Sequence, residues 1–246
     1  MSNSINLASN PTSLSGIDHS NTPVTHDEFG ITLREFSSHE RKGFVVFVDF
    51  LGIKGIWKRV KPENVFTNMK DIAGKFEKEL GMSVLSQFKT YFTTLSDTVI
   101  ITCECTLKYI NSVFDILINP FLYSMKLRFP LRGAISYGKY FLSNRLIIGP
   151  AIDEAAHSHN KLEIIGICTS SNLSKRMAIS TSVLPLSNNY TYYPRIPTKN
   201  GNYNGWVLDW RKCGRELLPF LQYELNNQSD DGVKSKYQNT IDFLTS

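Results

Sequence analysis

The chain has 246 residues, of which 41% are hydrophobic and 20% charged, and its formal net charge is +5. That length can bury one substantial core with appendages, and no run of Lys and Arg is long enough to form a nucleic-acid-binding stripe. No apolar stretch approaches the length of a membrane-spanning helix and no secretory signal is recognisable, so we expect a soluble, cytoplasmic protein with no nucleic-acid or membrane partner.

The first predicted strand marks the start of the folded region. Residues 1–38 are rich in Ser, Asn and Thr, which predicts a flexible N-terminal arm. Residues 44–48 form a continuous apolar, β-prone run, as expected of a strand buried on both faces, and the run ends at Asp49. A broadly helical pattern follows, with a break at Pro62 and an end at Gly81.

A hairpin and a long helix come next. Residues 83–93 and 98–105 are two β-prone runs whose connecting turn contains Asp97, a pattern typical of a hairpin. Residues 107–127 predict a helix that Pro120 should kink. The remaining predicted elements are strands over 131–140 and 146–148, a helix over 149–162, a strand over 163–169, a loop over 180–204, a late strand over 206–210, and helices from 215 onward.

The order of these elements predicts an α+β fold. A ferredoxin-like split-βαβ sheet with helices on one face, followed by C-terminal helices, accounts for it better than a parallel doubly wound sheet. We assign residues 39–212 to one catalytic domain and residues 213–246 to a helical extension packed on it. The cysteines lack a zinc-binding spacing, and Cys103 and Cys105 would share a strand face, which suits packing better than a disulfide.

Two aspartates are the best candidates for catalysis. Asp49 ends a hydrophobic strand and Asp97 lies in the hairpin turn, so a split-βαβ sheet would bring both carboxylates to one edge. Paired carboxylates that also meet triphosphate oxygens suit Mg²⁺ or Mn²⁺, and two such ions could activate a hydroxyl and neutralise leaving phosphates. The alternative is that Asp49 caps a helix and Asp97 only makes a turn, since both residue types are common in turns.

The segment after Asp49 is a second candidate element of the site. The segment Phe50-Leu51-Gly52-Ile53-Lys54-Gly55 leads from the strand into a helix, and we expect its backbone N–H groups to be free to hold phosphate oxygens. The glycines lack the spacing of a Walker loop or of a dinucleotide fingerprint.

Four segments together resemble a known family. FVDFLGIKG, LSDT, LRGAISYG and GPAIDEAA occur in the order expected of class III nucleotide cyclase catalytic domains, across roughly residues 43–170. More narrowly, SDT with FPLRGAISYGKYF, IIGPAIDEA and the later PRIPTKNG and WVLDW resemble the Pycsar pyrimidine cyclases of bacterial anti-phage defence.

This resemblance implies a nucleotide cyclase that makes cyclic UMP or cyclic CMP as an alarm signal for a separate effector protein. It implies a head-to-tail homodimer with its sites at the interface and with two Mn²⁺ or Mg²⁺ ions in each site. Asp49, Asp97 and the backbone of Phe50 would hold the metal, and the substrate contacts would include Phe50, Leu51, Gly52, Thr93, Arg132 and Asp153.

The departures from the family pattern concern base recognition and charge. Thr93 and Leu146 stand where purine-specific members have Lys and Asp, so the pair that reads a purine edge is absent. Asp153 stands at the family Asn position and His157 at the position of the Arg that stabilises the transition state. The candidate replacements for that Arg are Arg132, Lys139, Lys161 and Arg195.

Two other functions remain open from the sequence. His157 and His159 are expected at a polar helix rim, and loss of the family Arg at position 157 also suits an inactive cyclase-like module that binds a nucleotide or a partner. An RNA-binding sheet ranks last, because no strand carries the aromatic pattern of an RNA-recognition motif. Retention of both Asp49 and Asp97 favours the enzyme.

Overall fold

The computed structural model describes residues 39–52, 60–143, 146–180 and 188–246, which belong to one compact unit. The N-terminal arm predicted over residues 1–38 lies outside the described residues, as does the start of the predicted helical segment before residue 60.

One mixed sheet organises the described chain. Its path runs β2-β3-β1-β4-β6-β8-β7, with the short β5 paired to β4; β4 and β6 are parallel and the other pairs are antiparallel. The strands are β1 (His39–Phe50), β2 (Thr90–Leu95), β3 (Thr98–Cys103), β4 (Leu131–Leu142), β5 (Ile147–Ile148), β6 (Gly166–Thr169), β7 (Tyr190–Thr198) and β8 (Gly201–Leu208).

Helices cover both sides of this sheet. None of those described combines the length and the hydrophobicity needed to cross a bilayer. The helices are α1 (Pro62–Met82), α2 (Ile110–Lys126), α3 (Pro150–Lys161), α4 (Ser171–Ser180), α5 (Arg211–Gly214), α6 (Leu218–Asn227) and α7 (Asp231–Thr245).

The central strand β1 is buried on both faces, as its apolar run predicts. Phe44, Val46 and Val48 belong to the large core with α1 and α2, whereas Val45 and Phe47 belong to a smaller cluster with α3. The α+β class is therefore confirmed, but the expectation that helices lie on one face is wrong. Because successive side chains of a strand point to opposite faces, an apolar β1 needs helical cover on both.

Two local predictions fail for reasons of backbone chemistry. The loop predicted over 180–204 contains β7 and the start of β8, which form a hairpin. Pro194 and Pro197 argue against a strand in the sequence, but an edge strand such as β7 tolerates residues that lack an N–H group. The first strand of the Asp97 hairpin begins only at Thr90, because Ser83 accepts a hydrogen bond from the Leu85 N–H and starts a short 3-10 turn.

The C-terminal helix α7 is tied to the segment that leads into β6. The Lys236 ammonium lies 3.2 Å from a Glu163 carboxylate oxygen, and the Asn239 amide donates to the Glu163 carbonyl at 2.6 Å. The buried Thr240 hydroxyl accepts the Ile165 N–H at 2.9 Å. These bonds satisfy backbone groups that β6 leaves unpaired, so α7 contributes to the same body as the sheet.

Candidate active site

The register of the three central strands places Asp49 between two polar neighbours. Asp49 pairs with Thr98 of β3 on one side and with Arg132 of β4 on the other. Its side chain points to the same face as Val45 and Phe47, because strand residues two apart share a face. The end of the central strand therefore carries one carboxylate on the α3 side of the sheet.

Both neighbours bind the Asp49 carboxylate. The Thr98 hydroxyl donates to Oδ1 at 3.4 Å, and the Arg132 guanidinium lies 3.5 Å from Oδ2. Arg132 is 7% exposed and also donates to the Leu162 carbonyl, just beyond α3, at 3.1 Å. Arg132 thus connects Asp49 to the end of α3, and this arrangement suits a residue that orients the Asp49 carboxylate.

The β2–β3 turn brings the second carboxylate to the first, as the sequence predicts. Ser96 adopts a φ of 57°, which lets the chain reverse within two residues, and the Phe50 N–H donates to the Asp97 carbonyl at 3.0 Å. Burial and, after it, the negative charge of Asp97 together raise the pKa of Asp49 to about 6, although Arg132 and Thr98 act to lower it. The two carboxylates therefore repel each other in a partly desolvated place.

This arrangement suits a divalent cation. Asp49 and Asp97 offer hard oxygen ligands, and a cation between them would relieve the repulsion that raises the Asp49 pKa. Within the described ranges no cluster of three or more His, Cys, Asp or Glu side chains is suited to metal binding. An ion bound here would take Asp49 and Asp97 as ligands, with substrate oxygens completing its shell, and the family resemblance adds the backbone of Phe50.

The expectation of free backbone donors over residues 50–55 is wrong for Phe50 and Leu51, and residues 53–55 lie outside the described part of the chain. The Phe50 N–H is bonded to the Asp97 carbonyl, and the Leu51 N–H donates to the Pro130 carbonyl at 2.8 Å, because Phe50 ends β1 and Leu51 directly follows it. Gly52 is exposed with a φ of 80°, and a Cβ atom there would meet nothing within 4 Å. The side of Gly52 on which a Cβ atom would stand is therefore open, and its positive φ is one that glycine adopts readily.

The remaining predicted substrate residues, Thr93 and Asp153, lie on different elements, β2 and α3. Thr93 is half-buried and pairs with Ile100, which places it on the Asp49 face of the hairpin. Asp153 is exposed in the first turn of α3, and no hydrogen bond or ion pair found in the described chain joins it to Asp49. One protomer thus brings together Asp49, Asp97 and Arg132.

His159 is a neighbour of the site that sequence reasoning misplaces. It is 7% exposed and its ring centroid lies 5.8 Å from that of Phe47, whereas His157 is exposed. Burial, followed by the positive charge of Arg132, lowers the His159 pKa. The available signal was its spacing from the buried Ile152 and Ala155, which puts all three on one helical face.

A cleft of about 690 Å³ lies on the other side of the Asp97 turn, between α1 and the β2–β3 hairpin. Its wall is mostly apolar and includes Phe66, Met69, Phe92 and Val99, and it reaches Asp97. The turn that carries Asp97 therefore borders open space on the α1 side as well.

The raised Asp49 pKa predicts how stability depends on pH. The pKa of Asp49 is about 6 in the folded state, against an ordinary value of 3.8, so the folded state binds more protons between these two pH values. The contribution of Asp49 to the free energy of unfolding therefore falls as the pH rises from about 3.8 to about 6. Asp49→Asn, which carries no charge, should become the more stable protein above pH 7, by about 1 kcal/mol after solvent screening.

Urea unfolding in EDTA at pH 4 and pH 8 measures this difference. The control Asp153→Asn removes the same charge from an exposed position of α3. An Asp49→Asn stability difference that stays constant between the two pH values contradicts the burial argument.

Solved nucleotide cyclase domains have similar structures. The catalytic core of a rhodopsin-guanylyl cyclase with converted specificity, in complex with ATPαS, has a TM-score of 0.52 at 10% identity and covers 71% of this chain and 98% of its own. Adenylyl cyclase CyaB from P. aeruginosa has 0.51 at 13%, with 71% and 97% covered. The guanylyl cyclase domain of RhoGC from the aquatic fungus Blastocladiella emersonii has 0.51 at 12%, with 70% and 97% covered.

No family model matches the sequence, and no curated protein matches it. The likeness to solved structures is one of fold, since identities of 10–13% say little about individual side chains. The described chain has the fold of class III nucleotide cyclase catalytic domains.

Proposed function

We propose that this chain is a pyrimidine nucleotide cyclase, which converts UTP or CTP into the 3′,5′-cyclic nucleotide and pyrophosphate. The observation that carries the proposal is the meeting of Asp49 and Asp97 at the end of the central strand, in a partly desolvated place that favours a cation. The fold supports it, because its solved examples include adenylyl and guanylyl cyclases.

In this reaction the ribose 3′-oxygen bonds to the α-phosphorus, loses its proton, and displaces pyrophosphate. Two bound Mn²⁺ or Mg²⁺ ions would lower the pKa of the attacking hydroxyl and neutralise the departing phosphates. Thr98 and Arg132 fix the rotamer of Asp49, and the hydrogen bond from Phe50 fixes the Asp97 turn. Such prior orientation spares the site a reorganisation during the reaction.

Asp49→Ala and Asp97→Ala should each reduce turnover by at least about a hundredfold, since metal-assisted charge stabilisation supplies several kcal/mol. Product formation from a nucleoside triphosphate with Mn²⁺ measures the loss, and circular dichroism checks that the variants fold. Asp71→Ala, at an exposed position of α1, is the matched control. Near-normal turnover in either active-site variant means that the two-carboxylate assignment is wrong.

The proposed active form is a head-to-tail homodimer in which each site takes residues from both protomers. Asp153 is exposed in the first turn of α3, and the motif resemblance assigns its substrate role to the site shared with the second protomer. Large apolar side chains are exposed both on the Asp97 hairpin, at Leu95 (69%), and around β5, at Leu146 (53%) and Ile148 (48%). Mutual burial of such patches around a two-fold axis is what an isologous interface requires.

A mixture of two inactive proteins tests these shared sites. Asp49→Ala and Asp153→Ala chains should each be impaired as homodimers, whereas their heterodimer keeps one site with both side chains intact. We expect part of the activity, at most about half of the wild-type level, to return on mixing. Absence of any rescue in heterodimers isolated by two affinity tags contradicts the shared-site proposal.

Base preference is proposed from the residues that would face the base. Thr93 lies half-buried on the Asp49 face and offers a hydroxyl that donates or accepts, so it can pair with uracil O4 or with cytosine N4. Neither Thr93 nor Leu146 offers the charged pair expected for a purine edge, and unpaired buried groups cost about 1–3 kcal/mol each. The preference for UTP over CTP is slight and rests on the motif resemblance.

An equimolar mixture of ATP, GTP, CTP and UTP should therefore give mainly cyclic UMP or cyclic CMP. We expect the pyrimidine product to exceed cyclic AMP and cyclic GMP by about ten- to a hundredfold. Thr93→Val keeps the side-chain shape and removes the hydroxyl, so it should lower the pyrimidine product selectively. Mass spectrometry identifies the products. Predominant cyclic AMP or cyclic GMP rejects the pyrimidine assignment alone, and no cyclic product with any substrate favours the inactive module instead.

The motif resemblance also suggests the setting. The cyclic pyrimidine nucleotide would act on a separate effector protein as an alarm signal in anti-phage defence. The cytoplasm would supply the triphosphates, and it suits a chain whose four cysteines are all unpaired.

A further inference from the structure

Two cysteine side chains meet in the large core at the far end of β3 from the aspartates. Cys103 is the last residue of β3 and Cys105 lies just beyond it; they are 2% and 5% exposed. The Cys103 thiol donates to the Cys105 sulfur across 3.3 Å. A disulfide needs about 2.05 Å, so a modest side-chain rotation separates this pair from bonding distance.

The backbone holds the two thiols together. The Cys105 N–H donates to the Cys103 carbonyl at 2.9 Å, which closes a γ-turn centred on Glu104. The Glu104 N–H donates to the Lys89 carbonyl at 2.9 Å, and its carboxylate lies 3.6 Å from the Arg41 guanidinium. Each residue of the turn is thus fixed by a bond, and the approach of the sulfurs requires no ordering of a loose loop.

The position of Cys103 is fixed most tightly. A Cβ atom at Gly43 would lie only 1.9 Å from the Cys103 carbonyl oxygen, so β1 approaches the backbone there as closely as glycine permits. Cys103 is also paired with Phe44 and Thr90 on its two sides. The movement that would join the sulfurs therefore falls on Cys105, which lies outside the strand.

The same hydrogen bond makes the two thiols chemically unequal. It lowers the pKa of Cys105 and raises that of Cys103, because the Cys103 proton stabilises a negative charge on the Cys105 sulfur. The thiolate is the nucleophile in cysteine chemistry, which assigns that role to Cys105. Cys105 is itself buried, and the chain reaches the surface at the next residue, Thr106.

We propose that Cys103 and Cys105 form a redox-active dithiol, which a peroxide converts reversibly into an intramolecular disulfide. The Cys105 thiolate attacks the peroxide O–O bond and becomes a sulfenic acid, while the released oxygen leaves as water after taking up a proton. The Cys103 sulfur then attacks the sulfenic sulfur, and its proton departs with the hydroxide as a second water. Two thiols and one hydrogen peroxide thus give one disulfide and two waters.

A disulfide across a single intervening residue closes a small, strained ring. Strained disulfides are more oxidising than structural ones, so a cellular monothiol such as glutathione should reduce this one again. The inference concerns the thiols alone and does not depend on the cyclase activity.

The test uses full-length Cys213→Ser protein, which lacks the exposed thiol. After hydrogen peroxide, catalase quenching and denaturation in an alkylating agent, peptides are analysed by mass spectrometry. We expect the peptide with Cys103 and Cys105 to carry no alkyl group and to lack two hydrogen atoms. When dithiothreitol is added after the peroxide and before the alkylating agent, both thiols should become alkylated. Cys168, fully buried and without a partner thiol nearby, should stay alkylated and is the internal control for unfolding.

The outcome that overturns the proposal is defined by the wild-type chain. If a peroxide dose that oxidises Cys213 in wild type leaves both Cys103 and Cys105 alkylated, the pair is not redox-active. Sulfinic acid on Cys105 without a disulfide overturns it equally. In a Cys105→Ala variant, Cys103 should still react with the alkylating agent after peroxide treatment. If that variant fails to fold, the wild-type and Cys213→Ser measurements decide the question.

Discussion

The site depends on one constraint, the pairing of the central strand β1 with a different strand on each side. Asp49 meets Thr98 and Arg132 only because β1 is in register with β3 and β4 at its last residues. A shift by one residue would turn Asp49 into the core of α1 and α2 and bring Val48 to the surface. The apolar demand on both faces of β1 therefore fixes the carboxylate as firmly as any contact of the carboxylate itself.

That placement has an electrostatic cost which the protein offsets only in part. Arg132 lies within reach of Asp49, yet burial and the charge of Asp97 outweigh it and the pKa of Asp49 stays raised. A purely structural carboxylate would be expected to gain stability from such a partner. A carboxylate kept at unfavourable charge beside a second one is instead typical of a functional site, because the stability lost is recovered on binding a cation.

The sequence predicts the parts that local patterns determine. The β1 run and the hairpin turn locate Asp49 and Asp97, since apolar continuity and turn chemistry depend on neighbouring residues alone. The side of the sheet that α3 covers depends on contacts between distant segments, and no local pattern reports it. The prediction for His159 was wrong because the spacing considered was that from His157, whereas the spacing from Ala155 places His159 on the buried face of α3. Strand β7 was not predicted because prolines are typical of loops.

The structure also narrows the source of positive charge for the proposed reaction. Arg132 is the one basic candidate that pairs with Asp49 among the described residues, and its guanidinium also donates to the Leu162 carbonyl. Lys139 is exposed and lies 2.9 Å from Glu40, away from the site. A guanidinium that must keep Asp49 in place cannot also follow the departing phosphates without releasing it. In the proposed reaction, charge neutralisation would therefore fall mainly to the bound metal ions rather than to Arg132.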